Sequence, residues 1–146
     1  MEVFFFMTDF DIEIDRFMFD CAAKELSVKT MKSYEQTLKL YAKWMFDEFE
    51  IDSPKNVKAV HLRSYVRSLS ERGKYELTVA DKPNNNPKAR EDFGMKISKT
   101  TIAKYTHNIK EFFAYLYQEQ VIHTNPLKNV NVKLERKMRV EDNELE

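Results

Sequence analysis

The chain has 146 residues, the length of one ordinary domain, and its 24 Lys and Arg are balanced by 24 Asp and Glu. Eleven Phe and seven Tyr can build a substantial core, whereas two Gly and four Pro are too few for the frequent turns of a β-sandwich or barrel. The longest apolar run, residues 3–7, is far short of the roughly 20 residues that span a membrane, and the opening Met1-Glu2 has no basic secretory n-region.

Periodicity predicts four amphipathic helices. The first covers residues 9–26, with Thr8 as N-cap and acids in the first turn, where the helix dipole favours them. Its apolar stripe is Phe10, Ile14, Phe17 and Cys21. Cys21 is therefore expected to be a buried packing residue. As a single cysteine it cannot form an internal disulfide, so a reducing cytoplasm is expected. The second helix covers residues 28–49 behind Ser27, with Tyr34, Leu38, Tyr41, Met45 and Phe49 facing inward. On its opposite side Lys29, Lys32, Gln36, Lys39 and Lys43 fall within an arc of about 80°. Pro54 ends the segment by turning Ser53 away from helical geometry. The third helix covers residues 58–72, with Leu62, Tyr65, Val66 and Leu69 inward and Arg63 and Arg67 outward. Gly73 follows as a natural left-handed stop.

Residues 74–97 break the helical pattern. Asn84-Asn85-Asn86-Pro87 is a turn signal, and residues 75–79 and 95–97 are candidates for a short hairpin carrying Lys82, Lys88, Arg90 and Lys96. A disordered insertion is the other reading. The fourth helix covers residues 99–120 behind Ser98. Ile102, Tyr105, Ile109, Phe112, Phe113 and Leu116 share one face, and Thr100, Ala103, Lys104 and His107 the other. Asn125-Pro126 and a basic tail, residues 128–139, come last.

The chemistry of catalysis is missing from the pattern. There is no glycine-rich phosphate loop, cysteine pair or nucleophile elbow, and His61, His107 and His123 lack ligand spacing. No catalytic residue, metal site, cofactor or small-molecule substrate is expected. Charge, in contrast, is segregated. Residues 1–23 hold six acids against Arg16 alone, residues 24–139 hold 23 basic residues against 14 acidic ones, and residues 140–146 are acidic. A basic body between acidic ends attracts polyanions.

Two stretches carry a family resemblance. One is Ser27-Val28-Lys29-Thr30-Met31-Lys32-Ser33-Tyr34, followed by Leu38 and Tyr41-Ala42-Lys43-Trp44. The other is Ser98-Lys99-Thr100-Thr101-Ile102, followed by Phe112-Phe113-Ala114-Tyr115-Leu116 and Val121-Ile122-His123-Thr124-Asn125-Pro126. Together they resemble the N-terminal core-binding (SAM-like) domain of tyrosine recombinases, the phage-integrase family. Members open the second helix with S-x-x-T-x-x-x-Y and the fourth with S-x-x-T-I, then continue with F-F-x-x-L and a closing Asn-Pro. Leu62-Arg63-Ser64-Tyr65-Val66, Leu69 and Glu71-Arg72-Gly73 fit the third helix. The resemblance covers residues 9–134. The link at 74–97 is longer than in the simplest members.

That resemblance implies an all-α fold: an orthogonal four-helix SAM-like bundle of two helical hairpins, with a loop or short β-hairpin inserted between helices 3 and 4. It implies an N-terminal segment 1–8, a DNA-binding domain 9–134 and a linker 135–146 toward a catalytic domain beginning near residue 140. The family's catalytic residues belong to that second domain, so neither Tyr34 nor Tyr105 is a nucleophile candidate. The expected partners are double-stranded DNA and other recombinase protomers in a prokaryotic cytoplasm. Helices 2 and 4 are expected to approach the major groove, which admits one helix. Lys29, Lys32, Lys39, Lys43, Lys99 and Lys104 would meet phosphates, aided by Ser27, Thr30, Ser98 and Thr100 at the two helix starts. Gln36, His107 and Asn108 are the candidates for base edges. The alternatives are a helical protein-interaction module and a stand-alone accessory DNA-binding protein.

Overall fold

The computed structural model describes residues 7–73, 91 and 94–130. Among them the regular elements are α1 (Asp9–Ala23), α2 (Val28–Phe49), a 3-10 turn (Pro54–Asn56), α3 (Ala59–Glu71) and α4 (Lys99–Gln118). The described residues form an all-α helical bundle. Each helix starts where its sequence signal lies. Thr8 and Asp11 form a reciprocal cap on α1, each backbone N–H reaching the other's side-chain oxygen at 3.1 Å. Ser27 and Ser98 cap α2 and α4. At α3 the Lys58 N–H donates to Nδ1 of His61 at 2.8 Å, so a neutral imidazole does the work of a capping side chain. Partial burial and the nearby Lys58 ammonium pull the His61 pKa below its ordinary value, which keeps that acceptor available.

Helix ends depart from expectation. α1 stops at Ala23 rather than at residue 26. Glu25 turns left-handed (φ 58°), and the Leu26 N–H reaches back to the Cys21 carbonyl at 3.2 Å. Glu50 (φ 56°) and Gln120 (φ 60°) are the corresponding left-handed residues after α2 and α4. Gly73 is not a left-handed stop. It forms an antiparallel bridge with Lys96, and a Cβ on it would fall 2.4 Å from the Gly94 carbonyl oxygen. Glycine is required there because two backbones cross, pinching together the ends of the segment between α3 and α4. The candidate strand at 75–79, the Asn84–Pro87 turn, Lys82, Lys88 and Arg90 lie outside the described residues. So do residues 131–146, which hold most of the basic tail and the whole linker.

The core is aromatic and centred on Phe112. Its ring lies 6.4 Å from Phe10, 5.6 Å from Phe17 and 5.5 Å from Phe113, centroid to centroid. α1 rests mainly on α2, and α2 on α4, and Phe112 of α4 meets α1 inside the core that all these helices share. A second aromatic group closes the α2–α3 side. Tyr41 and Tyr65 stand edge to face at 4.9 Å, Trp44 lies 5.1 Å from Tyr65, and the Arg72 guanidinium sits 5.7 Å over the Tyr65 ring. Burial pushes the Tyr65 hydroxyl up to about 12, with Arg72 opposing the shift, so it stays protonated. Cys21 is buried as expected, and burial raises its pKa, the opposite of an activated thiol. Beyond α4, Asn125 Oδ1 accepts the Leu127 N–H at 3.0 Å, and Ile122, Leu127 and Val130 seal the core.

Candidate nucleic-acid interface

Two helix starts repeat one local structure. At α2 the Ser27 Oγ accepts the Thr30 N–H at 3.1 Å and donates to Thr30 Oγ1 at 2.9 Å. At α4 the Ser98 Oγ accepts the Thr101 N–H at 3.2 Å and donates to Thr101 Oγ1 at 2.9 Å. In each, one first-turn N–H is satisfied by the serine, while the two before it have no intrahelical acceptor. In α2 these are Val28 and Lys29, and in α4 Thr100 is one of them. Neither first turn contains an acid. α1, by comparison, carries Asp9 and Asp11 in its first turn. The partial positive charge at the start of α2 and α4 is therefore reinforced by lysine rather than offset.

Ser27, Lys29, Lys32 and Gln36 are exposed on α2, and Thr30 is half-buried. Ser98, Thr100, Lys104 and His107 are exposed on α4, and Lys99 is half-buried. Lys29, Lys32 and Lys104 make no ion pair among the described residues. The α4 face also carries the exposed Glu111.

Asn108 departs from expectation: the structure buries it, at 3% exposure, against the side of α2. Its Nδ2 donates to Thr37 Oγ1 at 3.0 Å and to Ser33 Oγ at 3.2 Å. An amide spent on two hydroxyls inside a helix–helix seam is not available to a base edge. The seam has a geometric consequence, however. Lys29 lies one turn before Ser33, and Lys104 one turn before Asn108, so each lysine stands on its own helix beside the shared tie. Ser33 and Thr37 were missed in the sequence reading because nothing local marks them as partners of a residue on another helix.

The lysine arc of α2 also divides. Lys39 Nζ is 3.2 Å from Glu35 Oε1, and Lys43 Nζ is 2.9 Å from Asp47 Oδ2. Both lysines line an open groove of about 420 Å³ between α1 and α2. Its floor includes Phe10, Ile14 and Ile51, and its other charged walls are Asp11, Asp15 and Asp52. Lys39 and Lys43 therefore sit in an acidic neighbourhood that Lys29 and Lys32 do not share.

Residues 14–82 match the family model described as phage integrase, N-terminal SAM-like domain. Over that stretch the chain is similar to an integrase-type SAM-like domain. The matched stretch runs from within α1 through α2 and α3, and α4 lies beyond it. No curated protein and no solved structure matches the chain. No group of three or more His, Cys, Asp or Glu among the described residues is placed to hold a metal ion. No helix among them is long and apolar enough to cross a membrane.

Proposed function

We propose that the chain is the DNA-binding module of a site-specific tyrosine recombinase, holding duplex DNA while a catalytic domain outside this sequence performs strand exchange. The observation that carries the reading is the pair of Ser-capped helix starts that bear lysine and no acid. Cations near a helix N-terminus oppose the dipole, at about 0.3–1 kcal/mol each. A phosphate at the open N–H groups reverses that sign, since it interacts favourably with the dipole, the N–H groups and the ammonium together. Lys29, Lys32, Lys99 and Lys104 are the phosphate contacts in this reading, with Ser27, Thr30, Ser98 and Thr100 beside them. Gln36 and His107 are the groups left to meet base edges. The module itself contributes no chemical step, and its setting is a prokaryotic cytoplasm.

The test is titration of a short labelled duplex by fluorescence anisotropy over a range of salt. Four phosphate contacts give a slope of log K against log salt of about −4. Affinity is expected in the non-specific range, about 10⁻⁴ to 10⁻⁶ M, because a few phosphate contacts supply it. A duplex that does not bind, or binds without regard to salt, removes the proposal in favour of a protein-interaction module.

A specific feature of α1 supports a second contact, with a neighbouring protomer. Phe19 is 79% exposed and flanked on the same helix by Asp15 and Asp20. A large apolar ring among carboxylates suits a protein surface and repels DNA. On a duplex long enough for two copies, the wild-type chain is expected to load cooperatively in sedimentation velocity, and Phe19→Ser independently. Equal cooperativity in the two proteins removes α1 from the contact.

A further inference from the structure

The charge pattern on α2 assigns a boundary to the DNA footprint. We propose that Glu35 and Asp47, together with the acids of the α1 groove, hold Lys39 and Lys43 out of the duplex contact, so that the grip of α2 ends near Gln36. This rests on the DNA-binding reading above and deepens it. Five lysine and glutamine side chains share one arc by helical phase, yet their surroundings differ by position along the axis. Lys29 and Lys32 have no ion pair among the described residues. Lys39 and Lys43 each have a carboxylate within 3.2 Å one turn away. They also face Asp11, Asp15 and Asp52 across the groove.

The physics favours exclusion. A lysine contributes to DNA affinity by displacing counterions from a phosphate. A phosphate brought to Lys43 also comes close to Asp47, and the acids lining the same groove add to the repulsion. The two ammonium groups are outnumbered there by the carboxylates, so the local field repels a polyanion. Toward the start of α2 the same arc offers lysine, glutamine and the open N–H groups of the capped turn. The acidic groove acts as a wall: it sets on which side of the α2–α4 seam the duplex can lie. Repulsion of this kind fixes register more than it adds affinity.

Three double variants of the full chain separate the halves, read by duplex anisotropy against salt, with circular dichroism confirming the helical content of each. Lys29→Gln with Lys32→Gln is expected to weaken binding about tenfold and to flatten the salt slope by about 2. Lys39→Gln with Lys43→Gln is expected to leave affinity within about twofold and the slope unchanged. Glu35→Gln with Asp47→Asn, which releases both lysines, is expected to tighten binding and steepen the slope. If the Lys39 and Lys43 pair weakens binding as much as the Lys29 and Lys32 pair, the boundary is wrong. An unchanged slope after Glu35→Gln with Asp47→Asn overturns it as well. A wild-type chain with no salt-dependent binding at all is a different result, and it removes the DNA reading itself.

Discussion

Phe112→Ala is expected to cost the domain about 3–5 kcal/mol, the usual range for deleting a fully buried phenylalanine. Phe112 is fully buried, at 0% exposure. Its ring touches Phe10 and Phe17 of α1 and Phe113 on its own helix. Truncation loses the transfer energy of the ring and leaves a void lined by aromatics that cannot collapse without moving α1 against α4. Against a total stability of about 5–15 kcal/mol, such a loss is about a fifth of the whole or more. The thermal midpoint should fall by about 15 °C in calorimetry or circular dichroism. Phe112→Leu keeps most of the volume and should lose far less. A midpoint within a few degrees of wild type for the alanine variant would show that Phe112 is not what joins α4 to α1.

The helices were legible because each is announced twice, by an apolar stripe and by a cap. α2 starts behind Ser27, ends at residue 49 and is followed by Pro54, and both of its limits were readable from the residues alone. The end of α1 was not readable. It depends on Glu25 adopting a left-handed conformation, which glycine and asparagine adopt more readily than glutamate. Gly73 reads as a stop for the same reason in reverse. A glycine after a helix signals a left-handed cap, whereas here it is needed for the close passage of Gly94, a contact that no local pattern reveals.

The candidate interface is legible in composition and phase, and less so in its neighbours. Helical phase placed Lys29, Lys32, Lys104 and His107 on outer faces, where they lie. It also grouped Lys39 and Lys43 with them, because phase carries no information about what stands opposite on α1. Asn108 shows the same limit. Its partners Ser33 and Thr37 are 75 and 71 residues away in sequence. A polar residue at the edge of an apolar stripe reads the same whether it meets solvent or a hydroxyl on another helix. Yet this tie matters to function under the DNA reading. Buried and donating to two hydroxyls, Asn108 sets the rotation of α4 against α2 and so the relation of their outer faces.

That relation gives the second large effect. Under the DNA reading, Lys29→Glu and Lys104→Glu should each weaken duplex binding about tenfold, and the pair together should bring it to background. Each reversal removes one counterion-releasing contact and adds a repulsion. Each should therefore flatten the salt slope by about 1, measured on the same short duplex. The two lysines lie on different helices, flanking the Asn108 seam from either side. Only a shared duplex makes both reversals visible in one slope; if Lys104→Glu leaves the slope of the wild-type chain intact, α4 does not touch the DNA that α2 holds. The fold supplies an internal control. Lys29 is the second residue of α2, in a first turn with no acid, so glutamate there interacts favourably with the helix dipole, by about 0.3–1 kcal/mol. Lys29→Glu should hold or raise the thermal midpoint while DNA affinity falls. Opposite signs in stability and binding are what a residue retained for its ligand shows, because a lysine kept for the fold would weaken both when reversed.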